Sequence, residues 1–223
     1  MGLGRGLLDR PFRTLRNLAL ASILATPALA EPVTIAALGD SLTQGYGLPA
    51  EDGFVPQLQA WLTAQGADVN LVNAGVSGDT TAGGLSRIDW TLTPEVDSVI
   101  VALGGNDVLR GLPPEQAKSN LDAILTKIEE RGLPVLLAGI DAPSNYGPDY
   151  EREFEAIYTD LAAKHDALLI PNFLEGLTRI EDRAMVMRDH MQSDGIHPDA
   201  SGVALIVEAI GPVVLDLIAR AKP

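Results

Sequence analysis

The chain of 223 residues has no cysteine, which rules out disulfides and thiolate metal ligation. A core large enough to stabilise the fold unaided is therefore required, and residues 31–223 suffice for one. Aromatic residues are scarce, ten in all, which weighs against sugar-stacking platforms. Positive charge is also scarce: 16 Lys and Arg stand against 30 Asp and Glu, a formal net charge of −14. Four of those arginines lie in the first 30 residues with one aspartate, so removing +3 leaves −17 on the remainder. So acidic a surface disfavours nucleic acid and anionic lipid headgroups as partners. Beyond residue 30 no apolar run reads as a membrane span.

The first 30 residues read as a removable leader. Arg5, Arg10, Arg13 and Arg16 precede the apolar LALASILATPALA, and Ala28-Leu29-Ala30 has the small-x-small pattern of a cleavage site. The expected mature chain starts at Glu31, is periplasmic or secreted, and forms one domain over 31–223. No cysteine follows Ala30, so a lipid anchor is not expected, and nothing demands more than a monomer.

Five apolar runs have strand length: 33–39, 69–75, 98–105, 134–140 and 167–173. Their continuous apolarity predicts strands covered on both faces. Between them lie amphipathic stretches. FVPQLQAWLTAQG, PPEQAKSNLDAILTKIEERG and DYEREFEAIYTDLAAKHD each place apolar residues at helical spacing. The last, beginning at Pro198, carries Gly211-Pro212, which predicts a kink or a split. The alternation predicts a three-layer α/β/α domain around a parallel sheet.

Three turns follow the first three strands: GDSLTQG, NAGVSGDT and GGNDVLRG. In a flavodoxin-like 2-1-3-4-5 order they meet beyond the carboxyl ends of the strands, at the ligand crevice. That order would bring Ser41, Gly78 and Asn106 together. Ser41 alone would read as a helix cap, and Gly78 and Asn106 as turn residues. Neither GDS nor Gly75-Val76-Ser77-Gly78-Asp79 is a G-x-S-x-G elbow. Together they offer a hydroxyl nucleophile with three oxyanion donors: the N–H groups of Ser41 and Gly78 and the side-chain amide of Asn106. SDGIHP supplies Asp194 three residues before His197, a spacing at which the carboxylate can orient the ring and leave one nitrogen for the serine. His165 beside Asp166 reads as a helix C-cap, and His190 as loop support. His190 and His197 lack a third ligand, so no metal is expected.

GDSLTQGYG, NAGVSGDTTAGGLSR, GGND and DGIHP resemble, in order and spacing, the four blocks of the SGNH (GDSL) hydrolase superfamily. GGNDVLRGLPPEQ, PSNYGPDYEREFEAIY and DGIHPDASG are similar to its bacterial periplasmic acyl-CoA thioesterase I/lysophospholipase/arylesterase group, a likeness covering nearly all of 33–215. The resemblance implies the strand order, Ser41 as nucleophile, His197 as base and Asp194 as its orienter, with the oxyanion hole as above. It also implies an acyl pocket from Asp107, Val108 and Leu109 on one loop and Ala142, Pro143, Asn145 and Tyr146 on another. Ala142 stands where the family carries a bulkier apolar residue. No cofactor is implied.

The expected activity is hydrolysis of small or linear acyl esters and thioesters, including aryl esters and lysophospholipids, through an acyl-enzyme. Two other readings share the scaffold: a carbohydrate O-acetyl esterase, and a non-catalytic lipid- or ester-binding protein. The complete set of Ser41, Asp194, His197 and Asn106 argues against the last.

Overall fold

Val33–Gly39 (β1) lies inside a five-stranded parallel sheet of order β2-β1-β3-β4-β5, where β2 is Val69–Gly75, β3 Ser98–Ala102, β4 Val135–Ala138 and β5 Leu168–Ile170. The structure is a computed structural model that describes residues 1–2 and 31–221, so the expected leader and its cleavage point lie outside the described residues. The helices are α1 Ser41–Gln44, α2 Phe54–Ala64, α3 Thr81–Thr91, α4 Gly105–Leu109, α5 Pro114–Glu130, α6 Pro148–Lys164, α7 Glu175–Thr178, α8 Arg183–Asp189 and α9 Ala200–Ala221.

Alternation along β1 explains the three layers. Val33, Ile35 and Ala37 pack in one cluster with Phe54 and Leu58 of α2 and Val207 and Val214 of α9. Ala36 and Leu38 point the other way, into a cluster with Ile88 of α3, Leu121 of α5 and Phe154 of α6. Register then fixes the site: Gly39 pairs with Gly75 on one side and with Ala102 on the other. Strands β1, β2 and β3 therefore end level, and the turns that leave them are neighbours.

Two expectations need correction, and one helix, α3, was not expected at all. Strand β2 is not covered on both faces; it is the sheet's edge, with Val72 41% exposed. One side chain of α2 meets two groups of the strand's outer backbone: Gln59 Nε2 donates to Val69 O (2.9 Å) and Gln59 Oε1 accepts from Leu71 N (2.8 Å). Helix α3 was not legible, because Gly83 and Gly84 interrupt its period. A Cβ at Gly84 would overlap Leu103, so close packing, not flexibility, requires that glycine.

The second correction concerns α9, which is one continuous helix with Pro212 inside it. Val203, Ile206, Val207 and Ile210 before the proline, and Val214, Leu217 and Ile218 after it, are all buried in one core cluster. Burial on both sides outweighs one lost backbone bond. At 22 residues α9 is also long and apolar enough to cross a membrane by length and composition, contrary to the sequence expectation. Its apolar stripe is committed to the core instead.

Candidate active site

The chain leaves β1 at Gly39, where a Cβ would overlap the Thr43 side chain. Asp40 then caps α1, its Oδ1 accepting from Leu42 N at 3.0 Å. Ser41 is the first residue of that helix, so its N–H belongs to the turn whose donors have no intrahelical partner.

The loop before α9 delivers His197 to this point. His197 Nε2 lies 2.9 Å from Ser41 Oγ, and Nδ1 lies 2.6 Å from Asp194 Oδ2. The other oxygen of Asp194 accepts from the N–H groups of Ile196 (2.9 Å) and His197 (3.0 Å). These bonds, the His197 amide foremost and then its ring, lower the Asp194 carboxyl to about 2. The ionised carboxylate calls for a proton on Nδ1, which leaves Nε2 of the neutral ring to accept from the serine hydroxyl. Gln192 staples the loop to the Ser41 side, its Nε2 donating to Tyr46 O (2.8 Å) and Pro198 O (2.9 Å). The Tyr46 ring covers the imidazole, with centroids 4.7 Å apart.

Gly78 and Asn106 reach the same cleft from the turns after β2 and β3. Gly78 has φ +83°, a conformation that a side chain would strain. Its carbonyl accepts from Arg110 Nη2 at 2.7 Å. Asn106 Nδ2 donates to Asp79 O (3.0 Å) and approaches Asp40 Oδ2 (3.3 Å). Burial pushes the Asp40 carboxyl up to about 6, partly offset by its bonds to Leu42 N and Asn106 and by His197 nearby.

The cleft measures about 570 Å³ and is mostly apolar. Of the residues expected there, Ser41, Gly78, Asn106, His197, Val108, Leu109, Ala142 and Pro143 line it, with Asp194 behind His197. Three expected pocket residues do not. Asp107 is buried behind the wall, accepting from Thr81 N (2.8 Å) and Thr81 Oγ1 (2.7 Å), and so fastens α4 to α3. Asn145 is exposed and outside the cleft. Tyr146 reaches over Gly111 towards Leu109 O (3.4 Å), bridging the two loops from outside.

Among the lining residues that sequence reasoning missed are Asp40, Tyr46, Ile140, Leu174 and Ile196. Asp40 and Tyr46 stand within GDSLTQGYG and Ile196 beside His197, so proximity was a usable signal; nothing in the sequence marked Leu174. His165 ends α6 and ties it to α5 through Asp122 (2.7 Å) and Glu129 (3.0 Å). His190 Nδ1 lies 2.8 Å from Ser201 Oγ, away from Ser41. Among the described residues no group of three His, Asp or Glu side chains is placed to hold a metal ion.

A level-ended parallel sheet carrying serine, glycine, asparagine and histidine at one cleft defines an SGNH-type serine hydrolase. The chain belongs to the GDSL-like Lipase/Acylhydrolase family, which it matches over residues 37–205. It is 38% identical over 208 residues to Esterase TesA of Pseudomonas aeruginosa, covering 92% of this chain and all of that one. It is 36% identical over 188 residues to Thioesterase 1/protease 1/lysophospholipase L1 of Escherichia coli K12, covering 83% of this chain and 85% of that one. Its fold is similar to the crystal structure of AlinE4, an SGNH-hydrolase family esterase, with TM-score 0.69 and 44% identity over 85% of this chain and 98% of that one.

Proposed function

We propose that the protein hydrolyses carboxylic esters and thioesters: aryl esters, esters and thioesters of short to medium acyl chains, and lysophospholipids. The observation that carries this reading is the unbroken hydrogen-bonded chain Ser41–His197–Asp194 opening into an apolar cleft. Esterase and thioesterase/lysophospholipase relatives, each similar over most of its length, support the substrate range.

Ser41 Oγ attacks the acyl carbon as its proton passes to His197 Nε2, forming the new C–O bond. The carbonyl π electrons move onto oxygen, which receives N–H donors from Ser41 and Gly78 and from the Asn106 amide, whose N–H directed at Asp40 Oδ2 over 3.3 Å is the one released to it. On collapse, the bond to the leaving oxygen or sulfur breaks, and His197 returns its proton to that atom. Water then attacks the acyl-serine with His197 again as base, releasing the carboxylic acid and restoring the Ser41 hydroxyl. Asp194 keeps Nδ1 protonated and faces the imidazolium that forms at each step.

Residues 31–223 act as one catalytic unit in this reading. The arginine-rich, apolar segment ending at Ala30 would export it to the periplasm or beyond. Fluorophosphonate labelling tests the nucleophile: wild type takes the label and Ser41→Ala does not. Equal labelling of both, or none of wild type, would reject the assignment. A panel of p-nitrophenyl esters, lysophospholipids and acyl-thioesters tests the substrate class; strong preference for acetylated xylan would favour the carbohydrate esterase reading.

A further inference from the structure

The three oxyanion donors come from three separate turns, and one arginine outside the catalytic set holds those turns in step. Arg87 projects from α3 with its side chain largely covered, at 21% exposure. Its Nη2 donates to Gly39 O (2.9 Å), at the end of β1 and two residues before Ser41. Its Nη1 donates to Ala74 O (2.6 Å), near the end of β2. Its Nε pairs with Asp79 Oδ2 (2.6 Å), on the residue that follows Gly78. The backbone carbonyl of Asp79 in turn accepts from Asn106 Nδ2 at 3.0 Å. One guanidinium is thus bonded next to the Ser41 and Gly78 turns and, through Asp79, to the Asn106 amide.

We propose that Arg87 and Asp79 form a positioning unit that sets the relative placement of the Ser41, Gly78 and Asn106 donors, and so governs transition-state stabilisation. The inference rests on the hydrolytic reading above.

The chemistry of the fork supports it. A guanidinium presents its N–H groups in fixed planar directions, and here three nitrogens are used on three different segments. A lysine ammonium, a flexible point charge, would retain the pairing with Asp79 but not the planar grip on both strand ends. The Gly39–Asp40 peptide, which leads directly into Ser41, also accepts from Val76 N (3.1 Å), so two donors converge on one carbonyl. Helix α3 is shaped around the pair: a Cβ at Gly83 would overlap the Asp79 carboxylate. Oxyanion donors act at a distance tolerance of a few tenths of an ångström, so small drifts between turns matter.

The test uses the full chain with Arg87→Gln, Arg87→Lys and Asp79→Asn. Active sites are counted by exhaustive fluorophosphonate labelling, and turnover of p-nitrophenyl butyrate is expressed per labelled site. All three variants are expected to lose kcat by about 10- to 100-fold, with KM within about twofold of wild type. Inhibition by a trifluoromethyl ketone, which mimics the oxyanion, should weaken in parallel. In an Asn106→Ala background the further loss from Arg87→Lys should shrink, because one of the donors being positioned is already gone. Unchanged kcat per labelled site with a lowered melting temperature would make the pair a fold staple and overturn the proposal. So would a full, multiplicative loss in the Asn106→Ala background. If Arg87→Gln does not fold, Arg87→Lys decides alone: full turnover per site overturns the idea. Failure of wild type to label would instead bring down the hydrolytic reading and this inference with it.

Discussion

His197 Nε2 stands 2.9 Å from Ser41 Oγ across 156 residues of sequence, and the imidazole is held on two sides. Asp194 grips Nδ1 at 2.6 Å, and the Tyr46 ring lies against the imidazole. Asp194→Asn keeps the size of the side chain but changes what Nδ1 can donate to. It is expected to lower kcat by about 10⁴-fold, with the wrong tautomer facing Ser41. Steady-state kinetics on an aryl ester checks this; turnover within a factor of a few of wild type would show that the carboxylate is dispensable.

Asn106 should behave differently from Asp194. Its amide is aimed by Asp79 O and Asp40, and its removal leaves the proposed nucleophile and base, Ser41 and His197, intact. Asn106→Ala is expected to lower kcat by about 10²- to 10³-fold with little change in KM. A large rise in KM at unchanged kcat would instead assign Asn106 to substrate binding.

Asp40 carries a stability prediction with a definite sign. Burial raises its carboxyl from 3.8 to about 6, so the folded state holds this proton more tightly than the unfolded chain does. Stability therefore declines as pH rises from about 3.8 to about 6, and the full cost of roughly 3 kcal/mol persists above that window. Asn caps helices as well as Asp, so Asp40→Asn removes the titration while keeping a capping oxygen. Urea unfolding should find the variant more stable than wild type at pH 8 and the gap closing towards pH 4. A pH-independent difference would contradict this account. Asp194 acts in a lower window and in the opposite sense: its contribution is lost as pH falls from 3.8 through about 2.

Gly211 tests how closely α9 packs on α2. A Cβ there would overlap the Trp61 ring, whose Nε1 donates to Glu208 Oε2 at 2.6 Å. Gly211→Ala should therefore destabilise by about 1–3 kcal/mol despite the better helix propensity of alanine. Thermal unfolding at fixed pH measures it, and a stabilised variant would show that the indole moves aside freely.

Local chemistry was enough to read much of this protein. Apolar runs marked all five strands. In β1, β3 and β4, which are buried along nearly their whole length, the reason is that a buried strand must be apolar throughout; β2 was marked in spite of its exposed edge. Asp194 and His197 could be paired because they stand three residues apart in one turn. Where packing overrides local signals the sequence misleads. Gly83 and Gly84 resemble a loop until Asp79 and Leu103 are seen filling the space a Cβ would need. Gly211-Pro212 resembles a break until the core on both sides of it is counted. The family resemblance implies Asp107 as a pocket residue, yet its carboxylate turns to Thr81.

Sequence alone determined which groups are available: one serine, histidine, aspartate and asparagine set on turns after apolar strands, with no thiol to compete. Only the tertiary structure decided that β1, β2 and β3 end level, that Arg87 ties two of those ends to Asp79, and that Asp40 is buried beside them. These are relations between segments distant in the chain, and no local pattern encodes a distance that packing alone fixes.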